Sequence, residues 1–275
     1  MLSAFADEYD KSFEEQLRAL KGFKIENIEI RHADGKNIAE MSKTEILSAK
    51  KMLDNFEIKV SAIGSPIGKI SLDGDISAHL EIAKQVFEYA NILETKFIRV
   101  FSFYAPSGKN ISDMRSEVLC WLEKLVLLAR EHGVTLCHEN EAKIYGDTPS
   151  RCKDILDFFA GELKCVFDMG NFVLEGVEPQ SAYELLKNYI AYFHIKDALY
   201  EGAIVPAGKG NAKIKEILSA HKSYAEDNFF VSLEPHLQTF SGLNSLVGRS
   251  FENPYKYENC QVAFCDAVEK LKSLI

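Results

Sequence analysis

The sequence has fewer basic than acidic residues, and this shortage excludes one broad class of partner. Its 275 residues include 32 Lys and Arg against 41 Asp and Glu, which gives a formal net charge of −9. A protein that holds the phosphate backbone of a nucleic acid needs a strongly basic surface. We therefore expect no nucleic-acid partner.

Long apolar runs and paired cysteines are also missing. No stretch approaches the roughly 18 consecutive apolar residues of a membrane-spanning helix. Residues 1–16 have no basic segment followed by an apolar one, as a secretory signal would have. The six cysteines form no CxxC motif, which favours reduced core thiols over disulfides or zinc ligands. We expect a cytoplasmic protein that does not contact membranes.

What the sequence does contain is a regular alternation of short apolar runs and longer amphipathic stretches. Eight apolar runs are predicted to be strands: 2–6, 27–30, 59–64, 97–103, 134–139, 164–168, 189–195 and 229–234. Eight amphipathic stretches are predicted to be helices: 13–21, 43–55, 76–93, 113–132, 150–159, 179–188, 212–220 and 253–275.

Strands that alternate with helices pair in parallel through right-handed crossovers. Eight such units in about 250 residues predict an α/β protein with a (β/α)8 TIM barrel. The competing fold is an open doubly wound sheet, whose first strand usually leads into a glycine-rich turn. The first strand here is followed by ADEY (6–9), which has no glycine. We predict that residues 1–275 form a single TIM-barrel domain.

Four strand ends in the second half of the chain carry side chains that bind metal ions. Glu139, Asp168, His194 and Glu234 each end or nearly end an apolar run. Alone, each is most simply a solvated strand end or a satisfied core histidine. In succession they should meet at the C-terminal mouth of the barrel, where TIM-barrel active sites lie. Three carboxylates and an imidazole suit a divalent cation, and carboxylates this close need a compensating charge. We predict one divalent ion: Mn²⁺, Zn²⁺, Mg²⁺ or Co²⁺.

The local strings around these positions resemble those of the xylose isomerase-like barrels, in particular the sugar phosphate isomerase/epimerase group. The strings are HENE (138–141), FDMGN (167–171), HIKD (194–197) and LEPH (233–236). The resemblance extends from FADE (5–8) to the end of the chain. It implies that the four positions bind one divalent metal ion, and that the two glutamates act as acid and base on a small carbohydrate.

The chemistry agrees with this implication. Moving a proton between neighbouring carbons of an α-hydroxy carbonyl compound passes through an enediolate, whose charge a metal ion stabilises. A carboxylate removes the carbon-bound proton, so we assign Glu139 and Glu234 as the catalytic pair. Candidates for binding the substrate are three cations and a histidine near the predicted mouth: Arg31, Lys69, Lys196 and His236.

The chain departs from the ketose 3-epimerases of the family in the residues that contact the sugar. Asn171, Tyr200 and Tyr145 stand where those enzymes have a histidine, an arginine and a glutamate. The metal-binding set therefore carries over, whereas the sugar-binding residues do not.

Several alternatives stay open. A dehydratase of inositol-type substrates uses the same enolisation step. An AP endonuclease-like phosphodiesterase would need more histidines at strand ends and a basic groove. A barrel that binds a metal or a sugar without turnover is the third. The segment 238–257 is predicted to be a loop over the mouth or a subunit contact, and the latter would make the protein a homo-oligomer.

Overall fold

Eight parallel strands form the centre of the protein. The computed structural model describes residues 1–225, 229–238 and 255–275. The strands are β1 (Leu2–Ala4), β2 (Asn27–Ile30), β3 (Lys59–Gly64), β4 (Phe97–Val100), β5 (Thr135–Glu139), β6 (Leu163–Asp168), β7 (Ile190–Ile195) and β8 (Phe230–Leu233). All eight predicted strands are confirmed.

The strands are arranged in sequence order around a nearly closed barrel. Each strand from β2 to β7 pairs in parallel with the next one in sequence, and β8 pairs in parallel with β1. Between β1 and β2, Asn27 Nδ2 donates a hydrogen bond to the carbonyl of Leu2 at 3.3 Å. This order confirms the predicted TIM barrel, and it places the C-terminal ends of the strands at one mouth.

Helices cover the outside of the barrel. They are α1 (Phe13–Gly22), α2 (Lys43–Phe56), α3 (Ile76–Ile92), α4 (Arg115–His132), α5 (Pro149–Phe158), α6 (Met169–Leu174), α7 (Pro179–Leu186), α8 (Ile214–Ala225) and α9 (Cys260–Lys272). Local signals fix their ends. Ser42 and Glu45 form a capping box at the start of α2, and Gly133 ends α4 with φ +69°.

Three helices differ clearly from the sequence-based prediction. Helix α8 was predicted to end at residue 220 but continues to Ala225. Helix α6 was not predicted, because it follows β6 without a loop: Asp168 is both the last strand residue and the N-cap, and its side chain accepts from the amide of Asn171. The last helix was predicted from residue 253 but begins at Cys260, because Asn259 caps it by accepting from the amide of Val262.

The two ends of the barrel interior differ in polarity. The N-terminal end is filled by apolar side chains that include Ala62, Val166, Tyr192 and Phe230, and the rings of Tyr192 and Phe230 stack with their centroids 4.3 Å apart. On the outer face of β7, Phe193 packs against His221 of α8. The C-terminal end of the interior is left to polar and charged side chains.

The membrane-span prediction and the segment 238–257 concern parts of the chain outside the barrel strands. Within the described ranges, no helix combines the length and the apolar character that a membrane span requires. Residues 239–254 lie outside those ranges, so the role predicted for the segment 238–257 stays a prediction.

Candidate functional site

Four side chains meet at the C-terminal mouth of the barrel. Glu139 ends β5, Asp168 ends β6, His194 is the next-to-last residue of β7, and Glu234 follows β8. All four are buried. Each offers one ligand atom, and these four atoms lie within 4.8 Å of one another. The fold thus brings together the residues that the sequence singled out as metal ligands.

Each of the two glutamates has one oxygen that accepts a hydrogen bond from a different arginine. Arg31 Nη1 donates to Glu234 Oε1 at 2.8 Å, and Arg99 Nη1 donates to Glu139 Oε2 at 3.1 Å. The other oxygens, Glu139 Oε1 and Glu234 Oε2, lie 2.9 and 3.4 Å from Nδ1 of His194. Each glutamate therefore keeps one oxygen for the centre of the site.

The two oxygens of Asp168 are also divided. Oδ1 accepts from the backbone amide of Asn171 at 2.8 Å, and Oδ2 accepts from Lys196 Nζ at 2.9 Å. The same ammonium lies 3.3 Å from Glu234 Oε2. A Cβ at position 170 would lie 2.8 Å from the Lys196 side chain. A glycine is therefore needed there for the lysine to reach Asp168. The carboxylate oxygens at the centre of the site, which include Glu139 Oε1 and Glu234 Oε2, favour a positive charge there.

The donor set fits a divalent metal ion. Three carboxylates and one imidazole nitrogen are ligands that Mn²⁺, Mg²⁺, Co²⁺ and Zn²⁺ accept. Burial opposes ionisation of the Glu139 carboxyl, but His194 and Arg99 lower its pKa to about 2. Burial likewise opposes ionisation of Glu234, yet Lys196 and His236 hold its pKa well below the ordinary value. Both glutamates are therefore in the ionised form that binds metals.

A second group of potential ligands adjoins the first and already contains a cation. Glu8, Glu234 and His236 bring ligand atoms within 4.8 Å of one another. Arg31 lies among them, since its Nη2 donates to Glu8 Oε1 at 3.3 Å and its Nη1 to Glu234. Its Nε and Nη2 also pair with Asp7 at 2.8 and 3.1 Å. Because a guanidinium supplies positive charge at this position, the geometry favours one metal ion over two.

A small cavity opens above the centre, and all four predicted substrate-binding residues line it: Arg31, Lys69, Lys196 and His236. Lys69 reaches the cavity from the loop after β3. Its ammonium lies 3.2 Å from Glu141 Oε2 and 4.2 Å from the centre of the Phe101 ring. The fold brings these residues to one place, and their contact with a substrate stays a prediction.

Only one of the three positions that depart from the ketose 3-epimerases lies in the cavity. Asn171 lines it and accepts from Lys196 Nζ at 3.0 Å. Tyr145 instead donates to Asp154 on α5, and Tyr200 is 45% exposed. Neither Tyr145 nor Tyr200 is among the described residues that line the cavity.

Sequence reasoning missed several charged residues of the site, and two of them lie inside strands. Arg99 contacts Glu139, and Glu29 lies 3.1 Å from Nε2 of His194 through its Oε2. Each is the one charged residue in a short apolar run, in FIRVFSF (97–103) and in NIEI (27–30). A charge inside a buried strand needs a partner, so this pattern was the available signal.

Comparison with known proteins agrees with the fold. A family model described as xylose isomerase-like TIM barrel matches residues 17–247. No curated protein matches the sequence at a significant level.

Three solved structures illustrate the likeness. The probable 3-DHS dehydratase AsbF from Bacillus anthracis is 18% identical, with 98% of each chain covered and a TM-score of 0.74. A D-psicose 3-epimerase, solved in the presence of D-fructose, is 14% identical over 99% of this chain and 97% of that one, with a TM-score of 0.76. A xylose isomerase-like TIM barrel protein from Mycobacterium smegmatis, in complex with magnesium, is 14% identical over 100% and 96%, with a TM-score of 0.73.

These identities are low, so the likeness to solved structures shows the fold. The family model covers most of the sequence, including the ends of strands β5, β6, β7 and β8. The chain therefore belongs to the xylose isomerase-like TIM-barrel family.

Proposed function

We propose that the protein is a divalent-metal-dependent isomerase or epimerase that acts on a small sugar or sugar derivative. The observation that carries the proposal is the position of Glu139 and Glu234. They come from strands three apart in the barrel, and one oxygen of each lies within 3.4 Å of His194 Nδ1. Two carboxylates at one buried centre can act as the general base and the general acid of a proton transfer.

Glu139, Asp168, His194 and Glu234 would hold the metal ion. A divalent ion bound there supplies Lewis-acid stabilisation of negative charge on the substrate oxygens. Two similar barrels support a metal without fixing its identity, since one was solved with magnesium and another, the IOLI protein, with zinc.

The two glutamates would transfer the proton. One carboxylate accepts the carbon-bound proton from its side of the substrate, and the electron pair moves to the neighbouring carbonyl oxygen, giving an enediolate. Return of the proton to the adjacent carbon, with the hydroxyl proton moving to the former carbonyl oxygen, gives the isomer. Return by the other glutamate, when it carries a proton, to the opposite face of the same carbon gives the epimer. Arg99 and Arg31 keep the two carboxylates oriented through the oxygens they hold.

The substrate would be bound by the polar groups that line the cavity. Lys69 and Lys196 donate hydrogen bonds to hydroxyl or carbonyl oxygens, and His236 and Arg31 add two more polar groups. Because three of these four residues are cations, a carboxylated or phosphorylated sugar belongs in the substrate panel beside free ketoses and keto-inositols.

Deuterium uptake from solvent tests the proposal. Metal-loaded protein should catalyse uptake into at least one member of that panel, and Glu139→Gln and Glu234→Gln should each slow it by about 100- to 10,000-fold. Glu162→Gln is the matched control, because Glu162 pairs with Arg130 on the outer surface. Retained exchange in either glutamine variant would overturn the assigned roles, and a metal-loaded protein inert to the whole panel would overturn the function.

A second candidate is a dehydratase, which begins with the same abstraction of a proton next to a carbonyl. Lys196 favours it, because a buried ammonium between Asp168 and Glu234 can donate the proton that a leaving hydroxyl requires. The similarity to a probable 3-DHS dehydratase points the same way. Dehydration yields an unsaturated carbonyl product, so ultraviolet absorbance in the same panel distinguishes it from isomerisation.

A further inference from the structure

A carboxylate lies buried inside the barrel beneath the candidate metal centre. Glu29, the third residue of β2, has no exposed side-chain surface. Its Oε2 lies 3.1 Å from Nε2 of His194, and its Oε1 accepts from the hydroxyl of Tyr192 at 2.9 Å. Tyr192 and His194 are two apart on β7, so both point into the barrel. The three side chains form a hydrogen-bonded chain that ends at the centre.

Aromatic rings pack against both residues that the Glu29 carboxylate contacts. Phe5 packs edge-on against His194 with the ring centroids 5.1 Å apart, and Phe230 stacks on Tyr192. Burying a carboxylate among such groups is unfavourable unless it is well paired. An apolar residue would fill the same space without that cost, which argues that Glu29 serves the site.

Two irregularities in the sheet occur where this chain is built. The register between β2 and β3 shifts between Ile28 and Glu29. The register between β6 and β7 shifts at the step where Val166 pairs with Tyr192. Such bulges re-aim the side chains that follow them. The backbone therefore departs from regular pairing next to both residues that lie under His194.

The role follows from the two nitrogens of the imidazole. Nδ1 of His194 faces Glu139 and Glu234, where the cation would bind, so a metal ligand at this position needs its lone pair on Nδ1. The single proton of the neutral ring must then be on Nε2. The carboxylate oxygen of Glu29 then accepts the hydrogen bond that Nε2–H donates, so Glu29 selects this tautomer.

We propose that Glu29 is a positioning residue of the metal centre, which fixes the tautomer and the orientation of His194 and is itself held by Tyr192. The proposal rests on the proposed function, since it requires that His194 bind a metal ion. Outer residues of this kind typically change metal affinity by about 10- to 100-fold. The effect should therefore appear in binding, independently of turnover.

Calorimetric titration of the full-length, metal-stripped protein with Zn²⁺ tests the proposal. We expect Glu29→Gln to weaken binding by about 10- to 100-fold, because the glutamine amide can donate to Nε2 and so favour the tautomer that protonates Nδ1. Tyr192→Phe should weaken binding by a smaller factor, since Glu29 stays in place. Tyr89→Phe is the matched control: this buried tyrosine of α3 donates to the carbonyl of Met41, outside the barrel interior.

Nitrogen-15 spectra of the histidine rings provide the second readout. In the Zn²⁺-loaded wild type, His194 should carry its proton on Nε2, and in Glu29→Gln a mixture of tautomers should appear. Unchanged affinity and an unchanged tautomer in Glu29→Gln would overturn the positioning role alone. Should that variant fail to fold, Glu29→Asp, whose shorter side chain withdraws the carboxylate from Nε2, replaces it, and unchanged affinity with an unchanged tautomer there would do the same. A wild type that binds no divalent ion would instead overturn the proposed function, which separates the two failures.

Discussion

The two halves of the barrel contribute different parts of the site. Strands β5 to β8 end in the four residues that are candidates for binding the metal. Strands β1 to β4 contribute groups that hold those residues, such as Arg31, Arg99 and Glu29. These supports face the candidate ligands across the mouth, whereas Asp168 is held from within the second half by Lys196. If this division is correct, variants in the second half should remove metal binding, whereas variants in the first half should weaken it.

The largest expected effect is at a ligand in the second half. Asp168→Asn should weaken metal binding by more than about 100-fold, the upper limit typical of groups that only support a ligand. The substitution should affect the metal site without disturbing α6, because Asn keeps the side-chain oxygen that caps this helix by accepting from the amide of Asn171. Calorimetric titration measures the loss, and an unchanged unfolding temperature shows that the fold persists. Metal binding close to that of the wild type would remove Asp168 from the ligand set.

A support in the first half should have a smaller effect. Arg99→Gln should weaken metal binding by about 10-fold, because Glu139 Oε2 loses its guanidinium partner while Oε1 still faces His194. Arg99 Nη1 donates to Glu139 and lies farther, at 3.8 Å, from Glu234 Oε1, so most of the effect should disappear in a Glu139→Gln background. Additive losses in the double variant would mean that Arg99 acts on the site by another route.

The same division explains how much of the site could be predicted from sequence. The candidate ligands are strand-end residues of the metal-binding type, so residue identity and spacing were sufficient to group Asp168, His194 and their neighbours. Arg99 and Glu29 lie inside strands, and their contacts depend on which way each side chain points. For Glu29 that direction follows a register shift in the sheet, which no local pattern of apolar residues reveals.

The fold was predicted more completely than the site because it depends on periodicity along the whole chain. Each barrel strand is a buried apolar run, and a run of that kind is visible without knowing its neighbours. Helix α6 escaped because its six residues are too few to show a helical period, and because Asp168 both ends a strand and begins a helix.

A third variant separates substrate binding from metal binding within the first half. Lys69 contacts Glu141 and the Phe101 ring and lines the cavity. Lys69→Met should therefore leave metal affinity unchanged and raise KM for the substrate about 10-fold, the cost of one charge-assisted hydrogen bond. Steady-state kinetics on the substrate found in the exchange panel measures this. Weaker metal binding in Lys69→Met would show that Lys69 supports the ligands as Arg31 and Arg99 do.

The smallest effect concerns the outer face of the second half, where α8 packs on β7. His221 is buried against Phe193 and Phe229, with ring centroids 4.9 and 4.8 Å away. Burial lowers its pKa from the ordinary 6.5 to about 4. Between those values the unfolded chain binds a proton that the folded protein does not, so stability should fall as the pH drops from 6.5 toward 4. The slope of unfolding free energy against pH should be smaller in His221→Phe, with metal affinity at pH 7 unchanged. An equal slope in both proteins would assign the acid sensitivity to other groups, and altered metal affinity would extend the site to the outer face of β7.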